Sequence, residues 1–179
     1  MKRIMVLILT IVMICALSAC GKKTGEPEPE QEPQQEEQKE TTQMANPFID
    51  CENMGQAEEI AGFGMEAPEE IDGYADSLIQ AVNGQMVQVI YFEKAADYDG
   101  DQATLFIRKK AGEDPDISGD YNEYSQTVSA GIGGHDVTLK GDDDLINVAL
   151  WTADGYSYSI DTDQALTQEQ MTAIIEIVE

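Results

Sequence analysis

Asp97, Asp99 and Asp101, in the run Asp97-Tyr98-Asp99-Gly100-Asp101, place a carboxylate at every second position. That is the spacing with which a loop wraps a calcium ion. A helix–loop–helix calcium site also needs glycine at its sixth position and a bidentate glutamate at its twelfth. Counting from Asp97, those positions hold Gln102 and Arg108, so the pattern is incomplete. Asp114, Asp116 and Asp120, and the run Asp142-Asp143-Asp144, are further acidic groups in loop-like sequence, where adjacent carboxylates ordinarily face water. Asp97, Asp99 and Asp101 are therefore metal candidates set against plain loop solvation, and no cofactor is expected.

The other chemistry-bearing residues are sparse. His135 is the single histidine and stands beside Gly134 and Asp136, without the nucleophile or extra ligands that base catalysis or zinc would require. Gly131-Ile132-Gly133-Gly134 lacks the strand-to-helix setting of a phosphate cradle. Nothing singles out a carboxylate pair for glycoside cleavage. Trp151, Tyr156 and Tyr158 form an aromatic group that either builds core or lines a ligand site. Arg108-Lys109-Lys110 is the one basic cluster of the body and suits strand-end protection. No catalytic set emerges, and a non-enzymatic protein is expected.

The N-terminus supplies an address. Lys2 and Arg3 precede an apolar run from Ile4 to Leu17, which closes on Leu17-Ser18-Ala19-Cys20-Gly21. The order of basic, apolar and small-residue segments is that of a signal peptide. The apolar run is shorter than the about 20 residues of a membrane-spanning helix. With its cysteine after the small residues it resembles a bacterial lipoprotein signal. Residues 1–19 would then be removed and Cys20 lipidated, with acyl chains such as palmitate each adding about 0.8 kcal/mol of anchoring per buried CH₂. The expected location is the cell membrane, lipid-anchored and facing the extracytoplasmic side. Cys15 would leave with the signal, so Cys51 is the only thiol of the body, and no intrachain disulfide can form there. It reads as a buried or half-buried small hydrophobe, with a reactive or bridging thiol as the alternative.

Residues 20–43 carry Glu, Gln and Pro and lack large apolar side chains, so they read as a disordered stalk. Fully extended, at about 3.1 Å per residue, the stalk reaches roughly 70 Å. Residues 44–179 then form a single domain. It holds 28 of the 35 acidic residues and five of the 10 basic ones, a net charge near −23. Such a charge argues against nucleic acid and against lying flat on an anionic bilayer. It admits cationic partners or metal ions, and solubility with repulsion from an anionic surface is the plainer explanation.

The elements that position these residues follow from pattern. Asn53 with Gln56 caps a helix from Met54 to Ala61, ended by Gly62. Phe63, Met65 and Ala67 alternate as a short strand. Ser77–Val82 and Gln85–Glu93 read as strands joined by Asn83-Gly84 in a type I′ turn. Ala103–Lys109, Glu123–Ala130, His135–Lys140 and Leu145–Thr152 continue as strands, and Asp154-Gly155 turns into the alternating Tyr156-to-Asp161 segment. Thr167 and Gln170 form a capping box for a last helix with Met171, Ile174, Ile175 and Val178 on one stripe. Short connections imply antiparallel pairing. The expected class is α+β: a curved antiparallel sheet of six to seven strands in meander order, with an N-terminal and a C-terminal helix packed on it.

Ala61-Gly62-Phe63 after a helix, Pro68, Gly73-Tyr74, Val89-x-Tyr91, Leu105-x-Ile107, Leu150-Trp151 and Gly155-Tyr156-x-Tyr158 together carry a resemblance. The stretch from Asn53 to Glu179 resembles the extracytoplasmic domain of unknown function numbered 4367, found in anchored proteins of Gram-positive bacteria. The resemblance implies a curved antiparallel sheet related to half-barrel lipoprotein carriers and brings no catalytic residues. The function expected is a surface lipoprotein with a binding or sensory role. The alternatives are a carrier of an apolar ligand in the cup of the sheet and a calcium-dependent adhesion module. The expected partners are the membrane, through the lipid anchor, and an envelope protein, cationic partner or small ligand.

Overall fold

A computed structural model of the chain describes residues 46–94 and 104–178. The signal, Cys20, the stalk, and Asp97, Asp99 and Asp101 lie outside the described residues. The described chain runs β1 (Ile49–Cys51), α1 (Met54–Ala61), β2 (Asp76–Val82), β3 (Met86–Phe92), β4 (Thr104–Ala111), β5 (Gln126–Ile132), β6 (His135–Gly141), β7 (Ile146–Ala153), β8 (Tyr156–Leu166) and α2 (Gln168–Ile175). It is an α+β fold with one open antiparallel sheet of eight strands. That corrects the expected six to seven. The addition is β1, whose three residues are too few to show an alternation.

Local signals explain both helices. The Asn53 side chain accepts from Gln56 N at 3.0 Å, and Gly62 (φ 82°) closes α1 by donating to the Glu58 carbonyl at 2.8 Å. Thr167 and Gln170 cap each other at the start of α2. Gly133-Gly134 and Asp154-Gly155 make two-residue turns with φ positive at both positions, as a type I′ hairpin requires. The Asn83-Gly84 turn differs from expectation. Val82 pairs with Met86 across a three-residue loop in which Gly84 alone has positive φ, because Gln85 N closes on the Val82 carbonyl at 3.0 Å. Phe63 to Ala67 forms no strand. Its alternation reflects a loop laid on the core, with Met65 buried and Phe63 against Tyr156 at 4.8 Å.

The strand order is β1-β2-β3-β4-β8-β7-β6-β5, so the sheet is not one meander. Each half meanders, and the halves join where β4 pairs with β8, from Leu105 opposite Thr162 to Ala111 opposite Tyr156. The cause is the connection between β4 and β5. Residues 112–125 are too many for a hairpin, and they carry the chain across the sheet to its far edge.

Alternation divides the sheet into two faces. On one, Val87, Val89, Tyr91, Leu105, Ile107, Leu139, Ala149, Trp151, Tyr158 and Ile160 pack beneath Ala57 and Ala61 of α1 and Met171, Ile174 and Ile175 of α2. Leu105, Ile107 and Ile160 are fully buried, each stabilising by about 2–3 kcal/mol over exposure. Among the described residues no helix packs on the opposite face, which carries the polar side chains described next.

Candidate functional site

Asp50, Gln80, Gln88 and Arg108 are register neighbours on β1, β2, β3 and β4, all pointing to the helix-free face. Their side chains form one directional chain of hydrogen bonds. Arg108 Nε donates to Gln88 Oε1 at 3.0 Å, Gln88 Nε2 to Gln80 Oε1 at 2.6 Å, and Gln80 Nε2 to Asp50 Oδ1 at 2.7 Å. Arg108 Nη1 also donates to the Ser118 carbonyl and to the Asp161 carboxylate on β8. The network thus crosses five strands, and its guanidinium lies 4.3 Å from the Phe106 ring centroid. Beside it Phe48, Leu78, Ile90, Phe106 and Ile117 line an open groove of about 530 Å³.

Residues 112–124 lie over this face and are fastened to it. Asp114 N donates to Ser157 Oγ at 2.6 Å, Ser157 Oγ donates to the Gly112 carbonyl at 2.7 Å, and Lys110 pairs with Asp114. Lys140 donates to Asp116 at 2.6 Å, and Ser118 donates to the same carboxylate through N and Oγ. Burial opposes ionisation of Asp116, but the bonds from Lys140 and Ser118 prevail and hold it below the usual carboxylate range. Asp120 accepts from Tyr124 OH and from Asn122 N. These acids therefore act as loop fasteners. Among the described residues no group of three or more His, Cys, Asp or Glu side chains is placed to hold a metal ion.

Past Asp161 the face opens into a hollow of about 440 Å³ lined by Asp120, Asp163, Tyr121, Tyr124 and Asn147. Burial pushes Asp161 up to about 6, and the Asp120 and Asp163 carboxylates add to the rise, against the pull of Arg108. Burial, together with acceptance of its proton by Asp120, raises Tyr124 to about 12.

The aromatic candidates lie on the opposite, helix-covered face. Trp151 and Tyr158 are buried and stack at 5.1 Å with 4° between their planes. Tyr156 is half-buried against Phe63, and Lys109 Nζ sits 4.8 Å above its ring and 5.2 Å above that of Tyr158. All three belong to the packed layer. His135 opens β6 opposite Ile132, and Asp142 accepts from Ser125 N at 2.7 Å, which holds its carboxyl low. Cys51 is half-buried; burial and then Asp50 push its thiol up, away from the reactive thiolate.

Sequence reading passed over Gln80, Gln88 and Asp161. The available signal was polar residues recurring mid-strand in Val- and Ile-rich segments, which marks a face that is not simply solvated. No helix among the described residues is long and apolar enough to cross a membrane. No family model, no curated protein and no solved structure matches the chain.

Proposed function

We propose that the chain is a surface lipoprotein, attached at Cys20, whose domain is a non-enzymatic binding module for a cationic partner in the cell envelope. The observation that carries this reading is the disposition of charge. Every basic residue of the domain is already engaged within it. Arg108, Lys110 and Lys140 are paired with Asp161, Asp114 and Asp116, Lys109 lies over two tyrosine rings, and Lys94 has its own partner. Exposed acids such as Glu123, Asp136, Asp143 and Asp144 have no such counterweight among the described residues, so the outward field is negative and concentrates cations at the surface. The likeness to the 4367 domain and a curved sheet belong to the same proposal. Curvature is supported by the register shift between Ile146 and Val148 against β8, since a bulge strengthens local twist.

The test uses the detergent-solubilised full chain and a labelled nine-residue peptide alternating Lys and Val. Fluorescence anisotropy should report binding that weakens with salt, with no binding of the Glu-for-Lys counterpart. Failure to bind the Lys peptide at low ionic strength overturns the reading. The carrier alternative would have to use the helix-free face, because the other is packed with core side chains; native mass spectrometry for a co-purified apolar ligand tests it.

A further inference from the structure

The two edges of the sheet are unlike. β1 is three residues long and carries Asp50, which suits an edge protected from pairing. β5 is seven residues long, reads Gln-Thr-Val-Ser-Ala-Gly-Ile, and contains no charge, no proline and no bulge against β6. Gln126 to Ser129 and Gly131 are exposed, Val128 to 54%. The turn at Gly133-Gly134 fixes which backbone groups are spent. Residues flanking a two-residue hairpin turn exchange both ladder bonds, and the exchange recurs at every second pair. Ile132, Ala130, Val128 and Gln126 therefore bond inward to β6. Thr127, Ser129 and Gly131 direct their N–H and C=O groups outward, and their side chains are small.

Resting on the reading of a cationic partner, we propose that β5 is its docking edge and that the partner is an extended, Lys- or Arg-bearing segment added to the sheet as a ninth strand. Backbone bonds to Thr127, Ser129 and Gly131 supply the pairing, as in other strand additions. Charge selects the occupant. Glu123 and the Asp142-Asp143-Asp144 turn stand at the start of β5, where Ser125 N holds Asp142, and Asp136 stands opposite Gly131 near its end. All of these acids are exposed, and the nearest lysine on β6, Lys140, is paired with Asp116. The same charge opposes pairing of this edge with that of a second copy of the domain.

The experiment replaces Ser129 by Pro. Proline removes one outward N–H and obstructs a partner strand, leaves the β6 ladder and every charge in place, and suits an edge strand with its N–H side to solvent. The alternating Lys–Val peptide should bind Ser129→Pro at least tenfold more weakly than the parent chain. The same peptide N-methylated at alternate residues, with its charge unchanged, should bind the parent at least tenfold more weakly. Amide exchange at Thr127, Ser129 and Gly131 should slow when the unmodified peptide binds. Should Ser129→Pro misfold, the N-methylated peptide decides. Equal affinity for both peptides, with exchange at β5 unchanged, overturns the docking edge and leaves the cationic-partner reading standing. Failure of the unmodified peptide to bind the parent chain overturns that reading, and the docking edge with it.

Discussion

Replacing Asp161 by Asn is expected to remove the share that this carboxyl contributes to a gain in stability on mild acidification. The Asp161 side chain is 17% exposed, and burial lifts its carboxyl from an ordinary 3.8 to about 6 in spite of Arg108. A carboxyl raised on folding binds its proton more tightly in the native state, so its contribution is greatest at low pH and is lost as pH rises through about 6. At pH 5 the group is roughly nine-tenths protonated when folded and almost wholly ionised when unfolded. Integrated from pH 7.5 down to pH 5, the native state gains about 1.4 kcal/mol, one pH unit's worth of linkage. Asp116 and Asp142 are shifted the other way, below 3.8, so their contributions fall away only under stronger acid and leave this window clear. The assay is urea unfolding at the two pH values, followed by fluorescence of Trp151, the only tryptophan and 4% exposed. The substitution also deprives Arg108 of its counter-charge, so the readout is each protein's difference between pH values rather than its absolute stability. General relief of acidic repulsion is common to both proteins. If Asp161→Asn gains as much as the parent between pH 7.5 and pH 5, with unchanged dependence on urea, the reasoning is refuted.

Further expectations concern packing and the anchor. A Cβ at Gly141 would meet the Leu145 carbonyl oxygen at 1.9 Å, so Gly141→Ala should cost about 3 kcal/mol in urea melts. Gly131→Ala, where nothing lies within 4 Å and φ is not positive, should be near neutral. Ser159 is fully buried and its Oγ has no hydrogen-bond partner among the described residues, so Ser159→Ala should raise the melting temperature or leave it unchanged. Thr167→Ala removes the capping box of α2 and should lower stability by about 1 kcal/mol. Cys20→Ser should move the chain from the membrane fraction to the medium and abolish incorporation of labelled palmitate.

Much of the local structure was legible because its causes are local. Asn53, Gly62, Thr167 and Gln170 act within one turn of their helices, and the Gly133-Gly134 and Asp154-Gly155 hairpins need only residues that accept positive φ. Alternation in Tyr156-to-Asp161 likewise separates an aromatic face from a polar one. It leaves open which face the helices cover. For Trp151, Tyr156 and Tyr158 the sequence favours core over a ligand site, and it is α1, α2 and the Phe63 loop that lie over their side of the sheet.

The Arg108 network was illegible for a different reason. Its partners are neighbours through register, and Asp161 reaches Arg108 because β8, over fifty residues along the chain, pairs with β4. Strand pairing beyond a hairpin depends on closing a long loop and on the burial gained across the whole sheet, neither of which is encoded in a short window. The expected meander failed at residues 112–125 for the same cause.

By itself the sequence determined the strong negative charge, the helix caps and tight turns, and the two-faced character of the strands, since each depends on composition or near neighbours. Tertiary structure alone decided the sheet order, the face left without helices, the five-strand polar chain through Arg108, and the position of β5 at an open edge. All four depend on which distant strands share backbone hydrogen bonds, and that choice is made by the fold's global burial of apolar surface.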